Sequence, residues 1–189
     1  MARPSVAAER REQIIEATVR TIAEHGVSGA SLDRIADTAG MSRGHVRHFV
    51  GNRDRLLLDT ARAVFADETG APSVLPASVS TLPAALDFLF GAEFTTSDAE
   101  NAVVLGLVEL SRSTPEIAEV LTTAYTRTGE RIGRLVSEAH PSASADACAV
   151  VADGVLTAAL GNVFLGDFHD DPKRTARTRA AIEALIATL

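Results

Sequence analysis

The sequence predicts an all-α protein with an N-terminal three-helix domain that contains a helix-turn-helix, followed by a larger helical domain. Three observations support this fold class. Apolar residues recur at helical spacing along most of the chain, and no stretch alternates between apolar and polar residues as a half-buried strand would. Two short amphipathic segments flank a glycine between residues 31 and 53. The two ends of the chain also differ in the sign of their net charge.

The 189 residues carry a formal net charge of −7, which is distributed unevenly. Residues 1–55 contain nine Arg against seven Asp and Glu, a net charge of +2, whereas residues 56–189 contain nine Lys and Arg against eighteen acids, a net charge of −9. An acidic surface repels phosphate, so only the N-terminal end suits a polyanion such as DNA. We therefore expect two domains, over residues 1–55 and 56–189.

The composition favours a cytoplasmic protein. A single cysteine, Cys148, excludes a disulfide framework. No apolar core follows the first charged residues, as a secretion signal requires, and no stretch of about 18 residues is both apolar and uncharged, as a membrane-spanning helix is. Hydrophobic residues make up 46% of the chain, which is enough for a sizeable core.

Helical periodicity and capping residues define the first three helices. The first is expected over residues 6 to 25, and it ends at Gly26. The helix-turn-helix follows, with its motif over residues 31–50. Ser31 and Ser42 can cap its two helices, and Gly40 can supply the positive φ that closes the first of them. The apolar positions are Leu32, Ile35, Ala36 and Ala39 in one helix and Val46, Phe49 and Val50 in the other.

The second helix of this motif has an outer face without acids. Its residues are Arg43, Gly44, His45, Arg47 and His48. Hydrogen-bond donors and little bulk at the helix start suit a recognition helix in a major groove. The i, i+3 spacing of His45 and His48 also fits a metal site, but their place on this face favours DNA contact. We therefore expect no metal or other cofactor.

This segment resembles the DNA-binding motif of the TetR family of repressors. The matching positions are Ser31, Leu32, Ile35, Ala36, Ala39, Gly40, Met41, Ser42 and Gly44. The chain departs from the family pattern at Arg47, where the family has Tyr, at Phe49-Val50, where it has His-Phe, and at Arg53, where it has Lys. The specific likeness covers roughly residues 10 to 60, and the remainder resembles the family in its helical layout.

The predicted DNA-binding set divides into base contacts and backbone contacts. Arg43 is expected to read guanine, because a guanidinium can donate to O6 and N7 together. Ser42, Arg47 and Arg53 are expected to contact phosphates, which fix the register without reading sequence. Gly44 lets the helix start approach the groove. The complete set is Ser31, Ser42, Arg43, Gly44, His45, Arg47, His48 and Arg53.

The rest of the chain is predicted to be helical except for one loop. A fourth helix, capped by Asn52, is expected over residues 52–68 and is long enough to connect the two domains. Residues 70–80 contain two prolines and several small residues, which favours a loop. Further helices are expected from residue 81 through Phe94 and over residues 101–111, 114–139, 145–166 and 171–187.

The last two helices are rich in Ala and Gly, which allow close helix packing over a long contact. The resemblance implies that these two helices from each subunit form a four-helix bundle. A homodimer would bind double-stranded DNA at an inverted repeat. The resemblance also implies a small apolar effector that releases the repressor by changing the spacing of the recognition helices.

Effector-binding residues are difficult to place because aromatic residues make up only 4% of the chain. The expected set combines aromatic rings with one polar group and comprises Phe90, Phe94, Glu109, Tyr125 and Phe164. In one alternative, the C-terminal domain binds a protein partner or only dimerises, with no small ligand. In a more remote alternative the protein is a small helical enzyme, but no catalytic constellation or phosphate-binding glycine loop supports this, so we expect no enzymatic activity.

Overall fold

The computed structural model describes residues 6–95 and 98–189, and these residues form helices connected by loops. The predicted all-α class is confirmed. The helices are α1 (Val6–Gly29), α2 (Leu32–Ala39), α3 (Arg43–Val50), α4 (Arg53–Val64), α5 (Leu82–Leu89), α6 (Ala92–Thr95), α7 (Asp98–Ser111), α8 (Pro115–Ala139), α9 (Ala145–Gly166) and α10 (Arg174–Ile186).

The chain folds into two compact units. The first consists of Met1–Phe65 and Ala102–Leu121, and the second of Ala66–Asn101 and Thr122–Leu189. The boundaries therefore fall at the end of α4 and inside α7 and α8. The division into functional domains at residue 55 stays a prediction.

The core of the first unit lies between α1 and the three short helices that follow it. Its largest side chains include one or more from each of these helices, and each is at most 1% exposed: Ile14, Ile22, Ile35, Val46, Leu56 and Leu57. The hydroxyls of buried Thr18 and Thr21 donate to the carbonyls four residues earlier, at 2.8 and 2.7 Å. These bonds satisfy polar groups that would otherwise be costly to bury.

The predicted end of the first helix at Gly26 is a break inside α1. Gly26 has φ 69° and ψ 167°, and the helix resumes for one short turn after it. Gly106 of α7 lies against this turn. A Cβ built on Gly106 would be 2.4 Å from Cγ2 of Val27 and 3.6 Å from Cγ2 of Ile22. The glycine therefore permits a close approach of α7 to α1.

We expect Gly106→Ala to lower the free energy of unfolding by about 1–3 kcal/mol, the usual range for overpacking a well-packed core. Denaturant titration of the purified chain measures this loss. Val27→Ala removes the methyl group that the new Cβ would meet. The double variant should therefore lose less stability than the two single variants lose in sum. Additive losses would show that this contact does not limit the packing of α7.

The core of the second unit is built from α5, α8, α9 and α10 and from the loop before α5. Its fully buried members include Leu75, Leu89, Ile132, Val136 and Val155. The predicted single helix from residue 81 through Phe94 is wrong, because the chain turns at Phe90 and Gly91 before it resumes as α6. A Cβ on Gly91 would be 2.4 Å from the carbonyl oxygen of Asp87, so the turn requires glycine.

The loop over residues 66–80 is held by side chains of α8. Helix α4 ends at Val64 rather than near residue 68, and Ala66 then pairs with Pro72 in an antiparallel bridge. The hydroxyl oxygen of Thr128 accepts a hydrogen bond from the Val74 N–H at 2.9 Å. The guanidinium of Arg131 donates to the carbonyls of Leu75 at 3.1 Å, of Ala77 at 2.9 Å and of Val79.

Two acidic side chains also order this loop. The carboxylate of Glu68 accepts hydrogen bonds from the backbone N–H groups of Ala77 and Ser78, both at 2.9 Å, and the Ala77 bond is the main cause that lowers the pKa of Glu68 below 4.5. The Thr69 hydroxyl lowers the pKa of Asp67 in the same way. Because both carboxylates bind protons less readily in the folded chain, their stabilising contribution is present at neutral pH and is lost on acidification.

We expect Glu68→Gln to reduce the pH dependence of stability. The wild-type advantage over the variant should be constant near neutrality, should shrink as the pH falls below 4.5, the ordinary value for glutamate, and should vanish below the folded-state pKa. Denaturant titrations of both proteins from about pH 6 to about pH 3 measure it. Parallel pH profiles would show that the Glu68 carboxylate does not stabilise the loop.

Helix α9 is long and apolar enough to cross a membrane by length and composition, and 33% of its most apolar window is buried in the chain. The core helix of a soluble protein meets the same measure, so this is weak evidence for a membrane span. Cys148, Val151 and Val155 place one face of α9 in the core of the second unit. The absence of a membrane-spanning segment stays a prediction.

Candidate nucleic-acid interface

The helix-turn-helix consists of α2, the turn at Gly40 and α3. The hydroxyl oxygen of Ser31 accepts a hydrogen bond from the Arg34 N–H at 3.3 Å, and that of Ser42 accepts one from the His45 N–H at 3.2 Å. Gly40 adopts a left-handed conformation, with φ 65° and ψ 33°. The predicted caps and turn are therefore confirmed. Both hydroxyls keep their hydrogen atoms for other acceptors.

The face of α3 that points away from the core carries the side chains predicted to contact DNA. Val46 and Val50 are buried, whereas the side chains on the outer face, Arg43, His45, Arg47 and His48, are exposed. Helix α3 contains no Asp or Glu. The outer face can therefore donate hydrogen bonds to phosphates or to guanine O6 and N7 without a carboxylate of its own helix competing for them.

Phe49 orients both histidines of this face. Its half-buried ring lies 5.1 Å from the ring of His45, at 36°, and 5.1 Å from the ring of His48, nearly edge-on at 77°. Sequence reasoning assigned Phe49 to the core only. The ring contacts restrict the imidazoles to a part of their rotamer range, which favours positioned donors over freely moving ones.

The two arginines of the outer face have different surroundings. Nη1 of Arg43 lies 3.2 Å from Oδ2 of Asp33 in the first turn of α2, and both side chains are 62% exposed. Arg47 has no ion-pair or hydrogen-bond partner of its side chain within residues 6–95 and 98–189. Arg47 is therefore available to an external anion, whereas Arg43 already has a partner.

Arg53 lies in a different environment from the one that its prediction as a phosphate contact implies. Its Nε donates to the carbonyl of Ala30 at 2.8 Å, and its Nη2 donates to the carbonyl of Val27 at 2.5 Å. The side chain is half-buried. These bonds hold the start of α4 against the turn that follows Gly26. The structure thus supports an internal role for Arg53, and its phosphate contact stays a prediction.

Other arginines of the first unit also bind backbone carbonyls. Arg11 donates to Phe49 at 3.1 Å, Arg34 to Gly29 at 3.0 Å and Arg20 to Thr38 at 3.4 Å. Sequence reasoning missed these roles because the partners of Arg11 and Arg20 lie 38 and 18 residues away. Part of the positive charge of the N-terminal end is therefore used to hold the fold together.

Gly44 is exposed in the first turn of α3, and a Cβ built there would meet no atom within 4 Å. Its φ is not positive, so neither backbone conformation nor packing inside this chain requires glycine. A helix with glycine in place of alanine is less stable by roughly 0.5–1 kcal/mol. The missing side chain therefore leaves room for something outside the described chain.

The predicted effector-binding residues are distributed over both units. In the second unit, Phe90 is buried in the core, and Phe94 is half-buried, with its ring 5.4 Å from that of Phe88. Tyr125 is half-buried, and burial raises its pKa. Phe164 is 52% exposed and packs edge-on against Phe168 at 5.4 Å. Glu109 is exposed and belongs to the first unit.

Known proteins resemble the helix-turn-helix region in sequence. The family model described as bacterial regulatory proteins of the tetR family matches residues 14–60. The HTH-type transcriptional regulator BetI of Burkholderia thailandensis is 42% identical over 76 residues, which are 40% of this chain and 39% of that protein. The match thus spans about two fifths of the length of the curated relatives, whereas the family model covers the region from α1 to α4.

Solved structures resemble the whole chain in fold. A TetR-family transcriptional regulator from Cytophaga hutchinsonii has a TM-score of 0.76 at 12% identity and covers 100% of this chain and 98% of its own. A transcriptional regulator from Saccharomonospora viridis, solved in complex with choline, has a TM-score of 0.68 at 18% identity, with 95% and 96% covered. In sequence, residues 14–60 therefore resemble the DNA-binding segment of tetR-family regulators, and the whole chain shares its fold with regulators of that family.

Proposed function

We propose that this protein is a transcriptional repressor that binds an inverted-repeat DNA site as a homodimer and leaves it when a small effector binds. The observation that carries the DNA-binding part is the outer face of α3, with exposed donors on Arg43, His45, Arg47 and His48 and a glycine that no internal contact requires. The match of residues 14–60 to the tetR family model and the likeness to transcriptional regulators named BetI support a regulator rather than an enzyme.

The roles within this face follow from chemistry and position. Arg43 is suited to guanine, because its guanidinium keeps donors that Asp33 does not use. Arg47 and the hydroxyls of Ser31 and Ser42 are suited to phosphates, which position α3 without reading bases. His45 and His48 are exposed on the same helix and are suited to donate to base edges or to the DNA backbone.

Selection of bound sequences from a random duplex library tests the DNA-binding function. The full chain should enrich an inverted repeat, with half-sites about one helical turn or a multiple of it apart, since a two-fold dimer presents two copies of α3. Enrichment of no motif, by protein that is folded and free of bound small molecules, would contradict the proposal.

Small exposed side chains on the last helix support the homodimer. Four alanines of α10 and the alanine that follows its last residue are all exposed: Ala176, Ala180, Ala181, Ala184 and Ala187. Gly154 of α9 lets Leu185 of α10 approach, with Cδ2 only 3.0 Å from the place of a Cβ. The two helices thus form a closely packed pair whose exposed α10 side is lined by methyl groups, a surface suited to close contact with the same pair of a second subunit.

Ala180→Glu tests this interface. A carboxylate in the middle of α10 should convert the dimer to a monomer in sedimentation experiments, because it would be buried there without a partner. Ala63→Glu, on the exposed face of α4, introduces the same charge outside the interface and should leave the dimer intact. Equal sedimentation of both variants as dimers would place the interface elsewhere.

The effector is proposed to bind in the second unit, near Phe94 and Tyr125. Both side chains are half-buried rather than sealed in the core, and Phe88 adds a second ring beside Phe94. The choline complex of the Saccharomonospora viridis regulator shows that a small molecule binds to a protein of this fold. The alternative, a C-terminal part that binds a protein partner or only dimerises, requires no such ligand.

Choline is a suitable first probe, because aromatic rings attract quaternary ammonium groups. If it is the effector, it should raise the unfolding temperature of the free protein and weaken binding to the selected duplex, and these two effects should be linked. Stabilisation without release, or release without binding to the free protein, would contradict ligand-controlled release by this compound.

A further inference from the structure

An acidic side chain lies where the proposed function needs positive charge. Asp33 is 62% exposed, in the first turn of α2, and its Oδ2 lies 3.2 Å from Nη1 of Arg43 at the start of α3. A carboxylate beside the DNA-facing helix repels phosphate, so it lowers affinity for every sequence. Its position against a single arginine suggests a function that offsets this loss.

The geometry of the pair leaves free the edge of the Arg43 guanidinium that can donate two parallel hydrogen bonds to guanine. A guanidinium has five N–H donors, and Nη1 is the nitrogen farther from the Nε–H. Contact through Nη1 leaves the Nε–H and one Nη2–H, which are parallel and spaced to match guanine O6 and N7. Within the described residues, Asp33 is the one hydrogen-bond and ion-pair partner of the Arg43 side chain.

We propose that Asp33 is a specificity-determining residue: it positions the guanidinium of Arg43 to read one guanine in each half-site and withholds it from neighbouring phosphates. An unsupported arginine at an exposed helix start can turn to either target, because its side chain has many rotamers. Asp33 restricts this choice at the expense of overall affinity. The inference rests on the proposed DNA-binding function.

Asp37 provides a matched control for charge. It lies on the same helix, one turn after Asp33, and it is also exposed, but its side chain has no partner among the described residues. Asp37→Asn therefore removes the same charge from the same helix without touching Arg43. Asp33→Asn removes the charge and the contact together, and Arg43→Ala removes the reading group itself.

The experiment measures the affinity of each variant for the wild-type-selected duplex and for duplexes with a single base pair changed at each half-site position. The ratio of two affinities measured on one preparation does not depend on the fraction of folded protein. Arg43→Ala should abolish discrimination at one guanine, an effect of roughly 5- to 150-fold for a bidentate contact. Asp33→Asn should reduce discrimination at the same base pair by roughly two- to fivefold, the range of exposed ion pairs.

The two acid variants should differ only at that base pair. Both should bind unrelated DNA at least as tightly as wild type, because each has lost a repulsive charge. Asp37→Asn should keep the wild-type discrimination at every position, and the Asp33→Asn/Arg43→Ala double variant should match Arg43→Ala alone. A purely structural role of Asp33 in α2 would weaken all sequences equally and leave every ratio unchanged.

Three results would overturn the inference. Equal base preferences of Asp33→Asn and Asp37→Asn would show that Asp33 does not position Arg43. Loss of discrimination at different base pairs in Asp33→Asn and Arg43→Ala would separate the two residues. If Arg43→Ala lost no preference, Arg43 would not read a base, although a motif selected by wild type would still support the proposed function. Failure of wild type to select any motif would contradict the proposed function itself.

Discussion

Gly44→Ala is expected to make the protein more stable and a weaker DNA binder at the same time. A Cβ at this position meets no atom of the chain within 4 Å, so the variant gains the helix preference of alanine over glycine, roughly 0.5–1 kcal/mol. In the complex, the same methyl group would enter the space between α3 and the groove. Overpacking costs about 1–3 kcal/mol in a protein core. The same cost in the complex lowers affinity for the selected duplex roughly 5- to 150-fold.

Opposite signs in the two measurements are the informative result, because a general structural defect lowers stability and binding together. Thermal unfolding and duplex titration, both at one protein concentration, provide the two values. Gly129→Ala on α8 is the matched control: a Cβ there meets its nearest atom, Cδ2 of Leu156, at an ordinary 3.9 Å. It should keep wild-type affinity. If Gly44→Ala bound the duplex with wild-type affinity, the start of α3 would not lie in the DNA interface.

Arg131→Ala is expected to cause the largest loss of stability among the substitutions considered. The half-buried guanidinium donates to three carbonyls of the 66–80 loop. Among the described residues, no other charged side chain donates a hydrogen bond to these carbonyls. Hydrogen bonds to charged groups contribute about 1.5–3 kcal/mol each when measured singly. Because the three share one side chain, we expect a total loss of about 2–4 kcal/mol, or roughly 5–15 °C in the unfolding temperature.

Arg134→Ala separates this effect from the loss of charge on α8. Arg134 lies three residues further along the helix and is exposed, and its side chain has no hydrogen-bond or ion-pair partner among the described residues. Its removal should change stability by less than about 0.5 kcal/mol. Thermal unfolding of both variants at one concentration compares them directly. Similar losses would mean that the carbonyl contacts of Arg131 contribute little.

Local signals in the sequence predicted the helix-turn-helix because its determinants lie within a few residues of one another. Ser31 and Ser42 cap helices through N–H groups three residues away, and Gly40 supplies a left-handed turn. Such contacts depend on spacing along the chain and on residue type, which a sequence displays. The exposed face of α3 follows from the same periodicity.

Contacts between distant residues could not be predicted in this way. The partners of Arg131 lie 52 to 56 residues away, and those of Arg53 lie 23 and 26 residues away. Arginine at a helix start suggested a phosphate contact for Arg53, because nothing in its neighbourhood along the chain indicates the carbonyls that it reaches. Gly106 is similar: inside an apolar helix it reads as a weak helix former, and only its distance to Val27 explains it.

The aromatic members of the expected effector set rest on apolar character, and the sequence does not separate an apolar residue that is sealed in the core from one that is exposed. Helical spacing shows that Phe90 and Phe164 are apolar positions, but not whether a neighbour covers them. In the folded chain, Phe90 is 6% exposed and Phe164 is 52% exposed. Residues at these two extremes are less suited to line a cavity than the half-buried Phe94 and Tyr125, which is why the proposed site is centred on the latter pair.

The most direct test of sequence-specific DNA binding is the ratio of two affinities of the full chain: that for the selected duplex and that for a duplex with the same base composition in scrambled order. Both are measured over a range of salt concentrations. We expect a ratio of at least ~10³ near physiological salt, as specific repressors show, while both affinities fall as salt rises. A ratio near one at every salt concentration would show that α3 binds phosphates without reading bases, and would contradict the proposed function.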